Sequence, residues 1–256
     1  MNSVLFQLNN LNFTFPGTKS PTLENISMVL NKGETVTLLG RSGCGKSTIL
    51  NLVAGLLSPE KPGDFQTTDS LLFEFQRGLA YVRQSPTLLP YLTAMENAEL
   101  ALRLRAPSAK SYDSYVDPFF TMFDLDYAKD YFPDALSAGM KQRVSLTQQL
   151  ILGQRVLLLD EPLTALDSHM SGVTQEFISH LIQQREVGCI LVTHDLEQVV
   201  SLSHRVYLMK SNPGRIAGEI AFDESFKRLS PAQRKESPLY SEYLLTVVKQ
   251  FGATLT

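Results

Sequence analysis

A glycine-rich stretch with a lysine and two hydroxyl residues is the part of this sequence best suited to bind phosphate. Residues 40–48 fit the pattern G-x-x-x-x-G-K-S/T, and an apolar run at 35–39 leads into them. Glycines allow backbone N–H groups to converge on an anion, while Lys46 can reach the β- and γ-phosphates and Ser47 can bind Mg²⁺. The sequence predicts a phosphate-binding loop that consists of Gly40, Arg41, Ser42, Gly43, Cys44, Gly45, Lys46, Ser47 and Thr48.

A second stretch supplies two carboxylates at the end of an apolar run. Residues 156–159 are Val-Leu-Leu-Leu, and Asp160, Glu161 and a proline follow them. Because α/β sheets bind ligands at the carboxyl ends of their strands, we expect these acids near the phosphates. Asp160 would hold Mg²⁺, directly or through water, and Glu161 would orient or deprotonate the water that attacks the γ-phosphate. A solvated acidic turn is the alternative when such residues stand alone.

The hydrophobic pattern predicts the strands and helices that must position these residues. The N-terminal part has the pattern of short strands, and a helix is expected at 46–56, directly after the phosphate loop. Two further strands are predicted at 71–75 and 78–83, and the second leads to Gln84. The N-terminal strands are expected at 4–6, 12–15, 26–30 and 35–39.

The character of the sequence changes between residues 85 and 138, where helices are expected at 93–105 and 115–123. Beyond this region helices and strands alternate, which is typical of a mostly parallel sheet with helices on both faces. The alternating elements are predicted as a helix at 139–152, a strand at 156–159, a helix at 168–184, a strand at 189–192, a helix at 196–202 and a strand at 206–209.

These elements predict an α/β protein with a mostly parallel core sheet, an N-terminal antiparallel β lobe and an inserted helical lobe. The core and its β lobe would comprise residues 1–84 and 139–225. The helical lobe would occupy residues 85–138 and carry a motif for ligand binding at its end. Residues 226–256 would form a helical tail that is interrupted by its prolines.

Composition limits the classes of function. The 256 residues are 43% hydrophobic and 19% charged, which is sufficient for a sizeable core. A net charge of −3 gives no global basic field, so nucleic-acid binding is not indicated. No apolar run could span a bilayer and residues 1–10 lack the pattern of a signal peptide, so we expect a cytoplasmic chain. Cys44 and Cys189 are expected to be reduced thiols.

A third motif, Leu-Ser-Ala-Gly-Met at 136–140, resembles the signature motif of the ABC ATPases. The remaining motifs of that family occur in the family's order at Gln84, Asp160-Glu161, Asp167 and His194. Each of these residues is weak evidence alone, but five such features in order with a phosphate loop are specific. The resemblance covers residues 1–222.

The resemblance implies an ATP hydrolase that works with Mg²⁺. In the family, the glutamine contacts the metal and the attacking water, and the histidine contacts the γ-phosphate. The catalytic residues implied in this chain are Lys46, Gln84, Glu161 and His194. The metal ligands implied are Ser47, Gln84 and Asp160.

The family also sandwiches ATP between two chains, so the resemblance implies a homodimer. Ser137 and the backbone N–H of Gly139 would open a helix, and a helix N-terminus binds a phosphate oxygen well. In the family this helix end faces the γ-phosphate bound by the other subunit, and Asp167 corresponds to a residue at the dimer seam. Phe15 corresponds to the aromatic residue that stacks on adenine, and Phe13 is the alternative.

Two positions depart from the family's pattern. Ala138 stands where the signature usually has a glycine, and it adds a methyl group near the presumed phosphate contact. Residues 147–149 are Thr-Gln-Gln in place of the usual Ala-Arg-Ala. These differences bear on the turnover rate more than on the type of reaction, because Lys46, Glu161 and His194 are all present.

A transport role would require a separate transmembrane permease. Residues 83–97 resemble the permease-facing segment of bacterial importer subunits, and its apolar cluster at 88–91 is expected to contact the permease unless it packs locally. Residues 211–216 resemble a turn frequent in nitrate, sulfonate and taurine importers, although a plain loop is the alternative. We expect a peripheral ATPase at the cytoplasmic face of the inner membrane, working with permease subunits and a periplasmic solute-binding protein. The alternatives are a soluble ABC ATPase with a regulatory or mechanical role and the ATPase of an exporter or lipid transporter.

Overall fold

The computed structural model describes residues 4–58, 65–67, 78–105 and 111–254. The strands in these ranges are β1 (Val4–Phe13), β2 (Leu23–Asn31), β3 (Thr35–Gly40), β4 (Phe65–Thr67), β5 (Leu79–Val82), β6 (Val156–Asp160), β7 (Gly188–Val192), β8 (Arg205–Lys210) and β9 (Arg215–Ala221). The helices are α1 (Lys46–Val53), α2 (Ala94–Arg105), α3 (Asp113–Met122), α4 (Ala138–Leu150), α5 (Ser168–Arg185), α6 (Leu196–Leu202), α7 (Glu224–Lys227), α8 (Pro231–Glu236) and α9 (Leu239–Ala253). Two short 3-10 turns, Asp126–Ala128 and Pro133–Ala135, precede α4.

The larger sheet brings the ends of several strands to one edge. Its strand order is β5-β6-β7-β3-β8-β9, and all neighbours pair in parallel except β8 and β9. Because parallel strands end on the same side, Gly40, Asp160 and Val192 lie at one edge as the last residues of β3, β6 and β7. The predicted α/β fold with a mostly parallel core sheet is confirmed.

Complete burial of the central strands explains their continuous apolar runs. Every residue of β3, β6 and β7 is buried. Successive side chains of a strand point to opposite faces, and in β6 Leu158 belongs to one apolar cluster while Leu157 and Leu159 belong to another. The first cluster includes α1 and the smaller sheet, and the second includes α4 and the helical lobe, so both faces of the core sheet are covered.

The smaller sheet is antiparallel, with the order β2-β1-β4. The prediction of separate strands at 4–6 and 12–15 was wrong, because a single strand covers Val4–Phe13. The polar residues that resemble a break form an irregularity, where Asn10 has a φ of 49° and its N–H donates to Ser27 Oγ at 2.9 Å. A bulge of this kind bends a strand without ending it.

The helical lobe contains α2 and α3 and leads into α4. Both lobe helices begin and end within two residues of their predicted bounds. The strand expected at 71–75 lies outside the described residues. Strand β9 was missed because it pairs at the sheet edge and buries only Ile220, so its sequence has no continuous apolar run.

Helix α4 is tied to both of its neighbours by the glutamines that depart from the family pattern. Gln148 Nε2 donates to the carbonyl of Asn97 in α2 at 3.0 Å. The backbone N–H of Tyr81 in β5 donates to Gln149 Oε1 at 3.3 Å. These two glutamines therefore link the signature helix to the helical lobe on one side and to the core sheet on the other.

The tail forms three short helices that pack on the outer strands. The expected interruption of the tail at its prolines is confirmed, because α8 begins at Pro231 and Pro238 is the N-cap of α9. In the first turn of α8 the missing N–H of Pro231 is no loss. Ser230 and Gln233 form a capping box at this helix start. Apolar side chains of α7 and α9 join those of β8, β9 and α6 in a third cluster. Within the ranges given above, no helix combines the length and apolarity that a membrane span requires.

A partly buried histidine, His204, lies at the amino ends of β3 and β8. The N–H of Thr35 donates to His204 Nδ1 at 2.9 Å, so this nitrogen carries no proton. Burial lowers the pKa of His204 to about 3, and the nearby Arg234 and Lys227 cations act in the same direction. The other ionisable side chains around its cavity are Lys32, Glu34, Glu224 and Arg228.

We predict that His204 makes the fold sensitive to acid. Between pH 6.5 and pH 3 the unfolded chain binds a proton that the folded chain excludes, so stability falls as pH falls, by up to about 1.4 kcal/mol per unit. His204→Asn keeps an acceptor for Thr35 and removes this titration. Urea unfolding at about pH 7 and about pH 5 should show a smaller loss of stability in His204→Asn than in the wild type. His180→Asn, at an exposed histidine, is the control, and equal losses in all three proteins would contradict the prediction.

Candidate functional site

The phosphate loop joins β3 to α1 and uses two glycines in a backbone conformation that other residues disfavour. Gly43 and Gly45 have φ values of 79° and 97°. Cys44, between them, is fully buried, and it is a free thiol like the buried Cys189 in β7. The loop therefore turns inward at its cysteine and exposes the backbone on either side.

Lys46 begins α1 and is held against the loop that it follows. Its Nζ donates to the carbonyls of Gly40 at 2.8 Å and Arg41 at 2.9 Å. Its Nζ also lies 3.8 Å from Cys44 Sγ, which is a weak acceptor. One ammonium hydrogen can therefore turn to a phosphate oxygen while the other two keep the side chain in place.

Asp160 is the last residue of β6, and its buried carboxylate accepts hydrogen bonds from two hydroxyl groups. Ser47 and Tyr81 both hydrogen-bond to it, and the Tyr81 hydroxyl also lies 3.3 Å from Asn51 Oδ1. Burial raises the pKa of Asp160 above its ordinary value, and the Ser47 bond and the Lys46 charge oppose this increase. Burial and Asp160 together raise the pKa of Tyr81 to about 12, so its hydroxyl keeps its proton at neutral pH.

Glu161 lies at the centre of a group of polar side chains. Its φ is 49°, an unfavourable value for a residue with a Cβ, and its N–H donates to the Val192 carbonyl at 2.8 Å. This turn points the carboxylate toward His194 Nδ1 at 3.3 Å and Gln84 Nε2 at 3.3 Å. The Thr164 hydroxyl donates to the same carboxylate at 3.4 Å. The chain segments that follow β5, β6 and β7 thus converge on one acid.

His194 occupies a tight turn between β7 and α6 that its neighbours fix. The Thr193 hydroxyl donates to Gln198 Oε1 at 3.0 Å and accepts the Asp195 N–H at 3.1 Å. Asp195 caps α6 by accepting the N–H groups of Glu197 and Gln198. The histidine side chain itself is 67% exposed, so it remains available to a ligand.

These residues surround a single cavity of about 450 Å³ at the carboxyl edge of the core sheet. The sequence-predicted site residues that line it are Phe15, Gly40, Ser42, Gly43, Gly45, Lys46, Ser47, Thr48, Gln84, Asp160, Glu161 and His194. Arg41 and Cys44 belong to the phosphate loop but do not line the cavity. Phe13 is buried and packs edge-on against Phe15 with ring centroids 4.9 Å apart, so Phe15 is the aromatic residue that reaches the opening.

Three further predicted site residues, which lie beyond the phosphate loop, are also outside this cavity. Ser137 is the N-cap of α4, where its Oγ accepts the Met140 N–H at 3.2 Å. Asp167 is the N-cap of α5, and the hydrogen bond from the Met170 N–H lowers its pKa. Gly139 lies in the first turn of α4. One chain therefore does not bring these three residues to its own phosphate loop.

The structure gives a packing reason for Gly139. A Cβ at this position would lie 2.8 Å from the carbonyl oxygen of Ala165, so a larger residue would push α4 away from the segment after β6. Gln142, which is also buried in α4, donates through Nε2 to the Pro162 carbonyl at 3.0 Å. Ala138 is exposed at the start of α4, so there is room for its methyl group. Packing within the chain therefore does not require a glycine at this position.

Sequence reasoning missed three residues that build the site. Thr22 and Val192 line the cavity, and Tyr81 lies behind Asp160. Thr22 carries no motif, and only the fold brings the start of β2 to the phosphate loop. Tyr81 gave a weak signal, since it lies three residues before Gln84 on the same predicted strand.

The oxygen ligands near the phosphate loop fit a magnesium ion. Mg²⁺ prefers one or two carboxylates together with hydroxyl, water and substrate phosphate oxygens. The buried Asp160 carboxylate hydrogen-bonds to the Ser47 hydroxyl, and Gln84 opens on the same cavity. The fit rests on this donor set.

Comparison with known proteins agrees with this arrangement. A family model described as ABC transporter matches residues 23–164. The aliphatic sulfonates import ATP-binding protein SsuB of Bacillus licheniformis is 31% identical over 99% of this chain and 96% of its own length. The bicarbonate transport ATP-binding protein CmpC of Synechocystis sp. is 36% identical over 77% of this chain, which spans only 30% of that larger protein.

A solved structure shows the same fold with a nucleotide. The dimeric post-hydrolysis state of the ATP-binding cassette MJ0796, bound to ADP and Pi, superposes with a TM-score of 0.76. It is 26% identical in sequence, and the match covers 86% of this chain and 99% of that protein.

We predict that the Glu161 charge is needed for turnover but not for binding of ATP. Glu161→Gln keeps the shape and can still hydrogen-bond, but it loses the charge that faces His194, so ATP hydrolysis should fall by about 100-fold or more. Bound ATP should persist and hold two chains together, which size-exclusion chromatography with Mg²⁺-ATP would detect. Glu197→Gln, at an exposed glutamate of α6, is the control. Rapid hydrolysis by Glu161→Gln would show that another group activates the water.

Proposed function

The chain belongs to the ABC transporter family, and we propose that it is the ATP-hydrolysing subunit that drives solute import through a separate permease. The observation that most directly supports the ATP-hydrolysing role is the convergence of the phosphate loop with Asp160, Glu161 and His194 on one cavity. A phosphate cradle alone would suit many nucleotide-binding proteins. The added acid and histidine supply what hydrolysis of the terminal phosphate requires.

We propose that the phosphate loop binds the phosphates of ATP and that Phe15 stacks on its adenine. The loop N–H groups and the free hydrogen of the Lys46 ammonium would face the β- and γ-phosphates, and His194 would contact the γ-phosphate. Ser47, Asp160 and Gln84 would hold Mg²⁺, which supplies positive charge against the phosphate oxygens when bound. Since Asp160 and Ser47 are already in contact, this part of the site is preorganised.

Glu161 is proposed to act on the attacking water. Its carboxylate would accept a hydrogen bond from the water and take its proton as the water oxygen bonds to the γ-phosphorus. The bond from that phosphorus to the bridging oxygen breaks, and ADP leaves with the electron pair. Gln84, which already lies 3.3 Å from Glu161, would hold the same water on its other side.

We propose that a second copy of the chain completes each site. Ser137, Gly139 and Asp167 lie away from the phosphate loop of their own chain, and they stand at the starts of α4 and α5. The N-terminus of the 13-residue α4 is suited to a phosphate oxygen supplied by the partner. The division into a core of residues 1–84 and 139–225, a helical lobe of residues 85–138 and a tail of residues 226–256 is part of this proposal.

The transport setting follows from the relatives. Both curated relatives described above are transport subunits, which does not favour a soluble regulatory ATPase or an exporter. We propose a peripheral position at the cytoplasmic face of the inner membrane, with a periplasmic solute-binding protein in the same system. We assign no solute, because relatives at 31% and 36% identity carry different solutes in their names.

The loop at residues 88–91 is the surface we propose for permease contact. Leu88 packs against the apolar cluster of the helical lobe, so the predicted four-residue patch is partly internal. Tyr91 is 70% exposed. The buried Asn97 fixes the loop, since the Leu89 N–H donates to its Oδ1 at 2.7 Å and its Nδ2 lies 3.1 Å from the Leu89 carbonyl oxygen. The loop thus presents its tyrosine from a rigid base.

Mixed dimers test the shared site. Lys46→Ala removes the cation of the phosphate loop, and Ser137→Arg blocks the signature helix, so each variant should be inactive as a homodimer. A random mixture should recover up to about a quarter of wild-type ATPase activity, because half of the dimers are mixed and each has one intact site. Absence of any recovery, where mixed dimers demonstrably form, would contradict the shared site.

Tyr91→Asp tests the permease surface. A charge at this exposed position should not disturb the fold or the ATP affinity of the isolated chain, but it should prevent burial against an apolar permease segment. Co-purification with the permease should fall by about tenfold or more, as loss of about 1.4 kcal/mol or more of binding requires. Tyr115→Asp, at another exposed tyrosine of the helical lobe, is the control. Normal co-purification of Tyr91→Asp would place the docking surface elsewhere.

A further inference from the structure

The turn at residues 211–216 connects β8 to β9 beside the phosphate loop. The sequence resembles a turn of certain importers, but the structure gives it a local role. The N–H of Gly214 donates to the Thr22 carbonyl at 2.9 Å, and the N–H of Glu24 donates to the Gly214 carbonyl at 2.9 Å. An ion pair between Arg215 and Glu24, 2.6 Å long, closes the same contact. The turn is therefore bound to the start of β2 through backbone and side chain together.

The phosphate loop is packed directly against this joint. A Cβ at Gly214 would overlap the carbonyl oxygen of Cys44 and would lie 3.0 Å from the Thr22 carbonyl oxygen. A Cβ at Gly45 would overlap the side chain of Leu23, which is fully buried. The Gly214 backbone therefore contacts the Cys44 backbone on one side of the loop, and Gly45 packs against the Leu23 side chain on the other. The loop therefore cannot move toward the turn at Cys44, or toward β2 at Gly45, without displacing them.

We propose that the 211–216 turn is a positioning element for nucleotide binding, with Gly214 as the point where it supports the phosphate loop. The proposal rests on the proposed function, because it assigns the support of the same nucleotide site. Thr22 lines the nucleotide cavity, and its carbonyl is the acceptor for the Gly214 N–H. The turn thus fixes both the phosphate loop and the chain segment that leads from Phe15 into β2.

The chemistry of the site sets the expected effect. The β-phosphate is common to ATP and ADP, and the loop that holds it includes Gly45 and Lys46. A displaced loop should therefore weaken the binding of ATP and of ADP to a similar extent. A change confined to catalysis would leave ADP affinity as it is. A purely structural defect would lower the melting temperature and leave affinity unchanged in the protein that remains folded.

The test compares Gly214→Ala with Gly218→Ala in the purified full chain. Gly214 has no positive φ, so alanine there introduces overlap without backbone strain. A Cβ at Gly218 would lie 3.6 Å from Leu208, which is ordinary contact. Titration with fluorescent ATP and ADP analogues, well below the melting temperature, should show about tenfold weaker binding of both nucleotides in Gly214→Ala. Gly218→Ala should bind them like the wild type.

A charge reversal keeps the inference testable if Gly214→Ala fails to fold. Glu24→Arg replaces the partly exposed ion pair with two facing arginines, which should loosen the turn. The affinity for both nucleotides should fall several-fold. The double variant Glu24→Arg/Arg215→Glu restores the pair and should recover affinity to within about twofold. Wild-type affinity in Gly214→Ala, or in Glu24→Arg alone, overturns the inference. Failure of the wild-type chain to bind nucleotide would instead overturn the proposed function.

Discussion

Parallel pairing of β6, β7 and β3 is the constraint on which the site depends. The three strands share one register and one direction, so their last residues arrive at a single edge without any further adjustment. Burial of both faces, by helices and by the smaller sheet, leaves that edge as the place where polar groups of these strands can meet a ligand. The carboxylate of Asp160, the turn at His194 and the loop after Gly40 are brought together by the same hydrogen-bond ladders that hold the sheet.

Local backbone strain and desolvation of a carboxylate occur together at this edge. Glu161 adopts a left-handed backbone conformation, which costs on the order of 1–3 kcal/mol, and the Val192 carbonyl helps to hold it. Asp160 is buried beside Ser47, and its raised pKa reflects a carboxylate that lacks water. Such groups are stabilised best when positive charge arrives with the ligand. The chain therefore holds its acids in positions that favour a ligand with phosphate groups and a bound cation.

The sequence was sufficient for most of the fold because local and global signals agree in it. The buried strands β3, β6 and β7 have continuous apolar runs, and the glycines at 43 and 45 have the positive φ that the motif requires. The sequence was not sufficient where partners are distant. Thr22 joins the cavity only through the antiparallel lobe, and β9 is an edge strand with a single buried side chain. The bulge at Asn10 resembles a loop until its pairing with β2 is known.

Gln148 and Gln149 of α4 connect the helical lobe to the core sheet. Asn97 is joined to α4 through its backbone carbonyl and to the loop at residues 88–91 through its side chain. Gln149, one residue further along α4, accepts a hydrogen bond from β5, the strand that leads to Gln84. Hydrogen bonds in series therefore connect the loop at residues 88–91 to α4, and α4 to the strand that leads to Gln84. Relative movement of the loop, α4 and β5 would break these hydrogen bonds, so we expect the three segments to move together.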